Sequence, residues 1–165
     1  MSEARKANAA VIAWLGLGSS LGDRAAHLKF AVRRLGETPG VAVRRVARAI
    51  ETAPEGGVAT RPFLNAVIEI ETTLAPRDLL AVCLAIEAEA GRDRAVRWAD
   101  RTLDIDILLY GDETFDEADL RIPHPRLAER AFALAPLAEL APDRVVPGSG
   151  LTVRELLERL GRSIA

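Results

Sequence analysis

Arg101-Thr102-Leu103-Asp104-Ile105-Asp106-Ile107-Leu108-Leu109-Tyr110 reads as a β-strand that carries two carboxylates at a spacing of two. Side chains alternate across a strand, so Asp104 and Asp106 share one side, about 7 Å apart at their Cα atoms, and Leu103, Ile105, Ile107 and Leu109 share the other. Adjacent carboxylates repel, and a cation between them relieves the repulsion. Hard Mg²⁺, which takes carboxylate oxygens together with substrate phosphates, suits that position. The competing reading is a solvent-facing sheet edge that happens to bear two acids. Against it, Leu103, Ile105, Ile107, Leu108 and Leu109 give the segment the apolar density of a central strand, where an unneeded pair of charges is costly. Upstream, Arg92, Arg94, Arg97 and Arg101 crowd one loop. The chain is Arg-rich throughout, so a solvated loop face is the plain account, yet planar guanidinium groups beside paired acids also suit phosphate oxygens.

Working outward, this strand closes an alternating series. Ala9 to Leu17 is short and apolar, as a buried strand would be. Asp23 is placed to cap a helix whose Leu28, Ala31, Val32 and Leu35 form one face before Gly36 ends it. Val41 to Ile50 and Phe63 to Thr72 read as strands, the second with Asn65, Val67, Glu69 and Glu71 on one face and Leu64, Ala66, Ile68 and Ile70 on the other. Pro76 opens a helix with Leu79, Leu80, Cys83, Ile86 and Ala90 at helical spacing and Gly91 as its stop. The order is β-α-β-β-α-β, the ferredoxin-like pattern: an α+β fold with helices packed on an antiparallel sheet. His124 to Leu140 and Thr152 to Leu160 read as C-terminal helices, the latter with a Thr152/Glu155 capping box. Glu51 to Pro62 and Gly91 to Thr102 are long connections for one domain, and loops of that length are often functional.

At 165 residues, with 49% apolar and 28% charged, the chain reads as one soluble globular domain spanning 1–165, with 1–9 as a flexible N-terminal extension. A net charge of −2 speaks against a general nucleic-acid binder. The single cysteine, Cys83, falls on the apolar face of a helix and reads as a buried thiol, consistent with a reducing compartment. There is no membrane-length apolar run, and Met1 to Ala10 lacks the order of a signal peptide, so a cytoplasmic location is expected.

Gly16-Leu17-Gly18-Ser19-Ser20-Leu21-Gly22 follows a strand and opens a helix, but its spacing fails both the dinucleotide fingerprint and the P-loop, leaving a tight turn as the plain reading. His124 sits rigidly between Pro123 and Pro125 and is either a turn residue or a site residue. His27 reads as an exposed helix residue. Asn65 is a surface amide or a reader of a heterocycle edge, with both a donor and an acceptor to offer. Phe63 and Phe132 suit core packing singly, or a planar ligand jointly.

Taken together, these segments resemble the 6-hydroxymethyl-7,8-dihydropterin pyrophosphokinases. The resemblance rests on Leu17-Gly18-Ser19-Ser20-Leu21-Gly22-Asp23, Phe63-Leu64-Asn65-Ala66-Val67, Gly91-Arg92-Asp93-Arg94, Arg97-Trp98, Arg101 to Leu108, and Ile122-Pro123-His124-Pro125 followed by Arg130 and Phe132. It implies transfer of a pyrophosphoryl group from ATP to the pterin hydroxymethyl oxygen, with release of AMP, as a step of folate biosynthesis. By resemblance, Asp104 and Asp106 hold two Mg²⁺ ions, and Arg92 and Arg101 join them as catalytic residues. ATP is met by Glu87, Arg92, Trp98, Arg101, Ile107, His124 and Arg130, and the pterin by Thr52, Glu55, Phe63, Asn65, Asp104 and Phe132. The partners implied are these two small molecules, with no nucleic acid and no membrane, and a monomer. Ser20, Ile50 and Ala99-Asp100 depart from the residues usual in that pattern. Two rivals differ in class: a non-enzymatic ferredoxin-like module that binds RNA or a small regulator, and another two-metal phosphotransferase or nucleotide hydrolase. The first requires exposed sheet aromatics and a basic surface, which this chain does not offer.

Overall fold

A cap, a proline and two apolar stripes set the first helices of the computed structural model, which describes residues 9–53, 61–91 and 102–164, the side chains of 162–164 excepted. Most of the expected N-terminal extension and of both long connections lies outside the described residues. The elements run β1 (Val11–Ser19), α1 (Arg24–Gly36), β2 (Val41–Val46), β3 (Ile50–Thr52), β4 (Phe63–Thr72), α2 (Pro76–Glu89) and β5 (Asp104–Tyr110). There follow a hairpin of β6 (Phe115–Glu117) and β7 (Leu120–Ile122), a 3-10 turn at Leu127–Glu129, α3 (Ala131–Leu140), a second hairpin of β8 (Val145–Val146) and β9 (Leu151–Thr152), and α4 (Val153–Ile164). Asp23 caps α1 by accepting from the Ala26 N–H at 3.1 Å. Thr152 and Glu155 form the reciprocal capping box of α4, at 2.9 and 3.1 Å.

The main sheet is antiparallel in the order β2-β4-β1-β5, with β3 also paired to β4. It is the α+β, ferredoxin-like arrangement expected, with added C-terminal helices. One sheet face packs on α1 and α2 through Leu15, Ile68, Ile70, Leu79 and Ile86; the other packs on α3 and α4 through Trp14, Val67, Leu134, Leu137 and Val153. Each such fully buried aliphatic side chain contributes about 2 kcal/mol of transfer free energy. A polar clamp fixes the second layer. Glu69 accepts from the Trp14 indole N–H at 3.0 Å and from Arg44 and Arg45 at 3.2 and 2.8 Å. Burial raises its carboxyl pKa, but these donors outweigh burial and hold it below the usual range. Arg45 also donates to the Leu140 carbonyl at 2.5 Å, which ties the end of α3 to the sheet.

Several expectations change. β5 is an edge strand rather than a central one. Its apolar run is explained by helices covering both sheet faces, so that an edge position is as buried as an inner one. Leu109 does not share the face of Ile105 and Ile107. The β1/β5 register slips between Trp14 and Leu15, and this bulge sends Leu108 and Leu109 to the α3 side and Tyr110 to the α1 side. Gly16 and Gly18 lie inside β1 rather than in a turn. Val41 to Ile50 is broken into β2 and β3 by a kink at buried Ala47, whose N–H donates to the Val67 carbonyl. Residues 123–130 form turns and a 3-10 segment rather than the start of a helix, since His124 is tied by its N–H to the Leu108 carbonyl at 3.1 Å. His27 is half-buried, its Nδ1 lying 3.3 Å from the Ser19 hydroxyl.

Candidate active site

Because the sheet pairs β5 with β1 and β1 with β4, three strand ends that are remote in sequence meet on the α3 side. Asp104 stands opposite Gly18, which stands opposite Asn65; Asp106 stands opposite Gly16, which stands opposite Val67. The glycines form the floor between the carboxylates and the amide. A Cβ on Gly18 would lie 3.2 Å from Asn65 Oδ1 and 3.5 Å from the Phe63 ring, and one on Gly16 would lie 3.4 Å from Leu108. A side chain at either position would occupy the hollow.

That hollow is a pocket of about 330 Å³. Its lining includes Thr52, Phe63, Asn65, Glu87, Asp104, Asp106, His124, Arg130 and Phe132, so nine of the residues singled out from the sequence converge on one space. Ile107 does not line it. Its side chain is buried on the opposite face with Ile105, which leaves only its main chain for a ligand. Glu55, Arg92, Trp98 and Arg101 lie outside the described residues. Gly16, Gly18, Leu80, Leu84 and Leu127 line the pocket without having been anticipated. The glycines had a signal, since they recur at a spacing of two within an apolar strand; the leucines had none, because a lining leucine and a core leucine look alike in sequence.

Asn65 donates from Nδ2 to the Thr52 hydroxyl at 2.8 Å, across the β3/β4 pair. This bond fixes the carboxamide so that Oδ1, on the Gly18 side, is presented as an acceptor. Phe132 at the start of α3 lies under the Arg130 guanidinium, 5.4 Å from carbon to ring centroid. His124 Nδ1 accepts from the Arg126 N–H at 3.2 Å, which leaves the ring proton on Nε2. Burial, with repulsion from Arg130 and Arg126 and against the pull of Asp104, lowers the His124 pKa to about 4. The ring is therefore neutral near pH 7 and acts as a donor through Nε2. Glu87 is buried on α2 and accepts from the Ile105 N–H at 2.6 Å. Cys83 is the buried thiol expected; burial, aided by the negative charge of Asp106, pushes its pKa up to about 12 and makes it inert.

Among the described residues, no three His, Cys, Asp or Glu side chains form a metal cage. Asp104 and Asp106 alone are an oxygen donor set that suits an ion completing its shell from phosphate and water. No helix among the described residues is long and apolar enough to cross a membrane.

Comparison with known proteins gives this geometry a context. The model of the 7,8-dihydro-6-hydroxymethylpterin-pyrophosphokinase (HPPK) family matches residues 14–142. A 2-amino-4-hydroxy-6-hydroxymethyldihydropteridine pyrophosphokinase of Methylorubrum extorquens is 48% identical over 151 residues, covering 92% of this chain and 94% of that protein. Its counterpart of the same name in Bacillus subtilis is 46% identical over 129 residues, covering 78% and 77%. Among solved structures, a chain of an HPPK-DHPS in complex with substrates is similar at a TM-score of 0.76 and 14% identity over 93% of this chain. A Plasmodium falciparum HPPK-DHPS triple mutant gives 0.75 and 18% over 96%. The present chain spans less than half of those solved chains, 44% and 45%, and at these identities the likeness establishes the fold alone.

Proposed function

Because this chain belongs to the 7,8-dihydro-6-hydroxymethylpterin-pyrophosphokinase family, the ATP-dependent diphosphotransferases of folate biosynthesis, we propose that it acts on ATP and 6-hydroxymethyl-7,8-dihydropterin. The bond formed joins the hydroxymethyl oxygen to the β-phosphorus of ATP. The bond between the β-phosphorus and the oxygen bridging to the α-phosphorus breaks, the hydroxyl proton is lost, and AMP leaves. The observation that carries this reading is the meeting, in one pocket, of the paired acids Asp104 and Asp106 with the amide of Asn65 and the rings of Phe63 and Phe132.

The pterin lies between Phe63 and Phe132, with its hydrogen-donating edge on Asn65 Oδ1 and its hydroxymethyl group beside Asp104. Thr52 holds the amide in place, and Thr52 and Glu55 contribute main-chain groups from the connection between β3 and β4. Glycine at 18 leaves the floor open for the ring. ATP occupies the side of Glu87, His124 and Arg130, reaching the main chain of Ile107, with Arg92, Trp98 and Arg101 taken by resemblance as further ATP-binding residues. Neutral His124 donates from Nε2, and the Arg130 charge stabilises phosphate oxygens. Asp104 and Asp106 would hold two Mg²⁺ ions, which would supply charge neutralisation at the phosphates. Catalysis of this kind is mostly positioning and electrostatic stabilisation. The protein is taken to act as a monomer, as a single 1–165 domain in the cytoplasm.

The test is ATP turnover with and without 6-hydroxymethyl-7,8-dihydropterin, with the nucleotide products resolved. AMP formed only when the pterin is present is the expected result. ADP, or nucleotide hydrolysis indifferent to the pterin, would overturn the assignment in favour of another two-metal phosphotransferase or hydrolase.

A further inference from the structure

Among the described residues β5 ends the sheet, so on its outer side every second N–H of the strand meets no neighbouring strand there. At Ile105, between the two aspartates, the partner is the Glu87 carboxylate, which accepts that N–H at 2.6 Å. Glu87 is 1% exposed and stands in the last turn of α2, the helix packed against β5 on the face opposite the aspartates. A neutral amide could accept the same bond at far smaller desolvation cost, so retaining a carboxylate in this place is what needs explaining. A charged acceptor makes the bond shorter and stiffer, and it adds negative charge behind a pair of acids without occupying their face.

We infer that Glu87 is a positioning residue: by gripping the Ile105 amide from α2, it sets the pitch of the Asp104–Asp106 segment and with it the affinity of that pair for divalent cations. The inference rests on the metal role proposed above for the two aspartates. It differs from a direct nucleotide contact, the other role open to a carboxylate that lines the same pocket. Outer partners of metal ligands commonly change metal affinity or activity by about ten- to a hundredfold when removed.

The experiment compares the wild type with Glu87→Ala and with Glu87→Gln, which keeps an acceptor oxygen at the same reach. Mn²⁺ binding is followed by electron paramagnetic resonance with a non-hydrolysable ATP analogue and no pterin. In Glu87→Ala, Mn²⁺ affinity and kcat are both expected to fall about ten- to a hundredfold, while KM for ATP moves less than about threefold. Glu87→Gln, which keeps the acceptor but not the charge, recovers part of that loss and leaves the remainder as the contribution of the charge. In ¹⁵N-labelled wild-type protein the Ile105 amide proton is expected downfield and protected from exchange, and it moves upfield in both variants. Should Glu87→Ala fail to fold, the Ile105 amide in the wild type and in Glu87→Gln decides the matter. An unprotected Ile105 amide, or a raised KM for ATP at unchanged kcat and unchanged Mn²⁺ affinity, overturns the inference. Absence of pterin-dependent AMP formation would instead sink the proposed reaction and leave the Ile105 and Mn²⁺ readouts standing.

Discussion

His124 gives a quantitative test of the site's electrostatics that needs no substrate. In the folded protein its pKa is lowered from 6.5 to about 4, first by burial and then by Arg130 and Arg126. As pH falls below about 6.5, the unfolded chain takes up a proton that the folded chain refuses, so the unfolded state gains. Stability contributed by the neutral ring is therefore complete above pH 6.5 and is lost as pH falls toward about 4. Linkage with these two values gives a loss of about 2 kcal/mol between pH 7.5 and pH 5, rising to about 3 kcal/mol near pH 4. His124→Asn keeps an acceptor for the Arg126 N–H and cannot titrate, so it isolates this slope from that of the many carboxylates. Urea unfolding, monitored by circular dichroism, is to be measured for both proteins at pH 5, 6 and 7.5. The wild-type stability, taken relative to the variant, is expected to fall by about 2 kcal/mol across that range. Parallel pH profiles would refute the reasoning, because the ring would then titrate as freely in the folded state as in the unfolded one.

Three further outcomes follow from the pocket. Asp104→Ala or Asp106→Ala should reduce turnover by at least about a thousandfold with little change in thermal stability, since both carboxylates face the pocket; retained Mg²⁺-dependent AMP formation in either variant would remove the metal assignment. Gly18→Ala places a methyl group 3.2 Å from Asn65 Oδ1; KM for the pterin should rise about tenfold with KM for ATP unmoved, measured by steady-state kinetics in each substrate. Thr52→Val removes the acceptor of the Asn65 Nδ2–H and should weaken pterin binding by about five- to tenfold in calorimetric titration, whereas an unchanged affinity would show that the amide is oriented by something else.

Much of the fold was legible because it rests on local rules. Asp23, Pro76 and the Thr152/Glu155 pair act within one helical turn, and each forms the cap or start that its residue type implies. The alternation in Phe63 to Thr72 likewise survives intact, with Ala66, Ile68 and Ile70 on one face and Asn65, Val67 and Glu69 on the other. Errors arose where a partner distant in sequence overrides the local pattern. His124 to Arg130 has helical composition in part, yet the bond from His124 N–H to Leu108 pulls the chain into turns. Leu109 obeys strand alternation in the sequence, but the slip against β1 reverses its face.

The same division applies to the site. The sequence by itself determined that Asp104 and Asp106 point one way, because a period of two is a property of any extended chain and needs no neighbour. It also supplied the chemical inventory of amide, aromatic, imidazole and guanidinium groups that a pterin and a triphosphate would call for. Only the tertiary structure decided that Gly16 and Gly18 form the floor between acids and amide, that Thr52 turns the oxygen of Asn65 toward the pocket, and that Glu87 meets the edge of β5 between the aspartates. Those features depend on strand order and on how deeply each group is buried. Both follow from contacts between segments tens of residues apart, which no local spacing encodes.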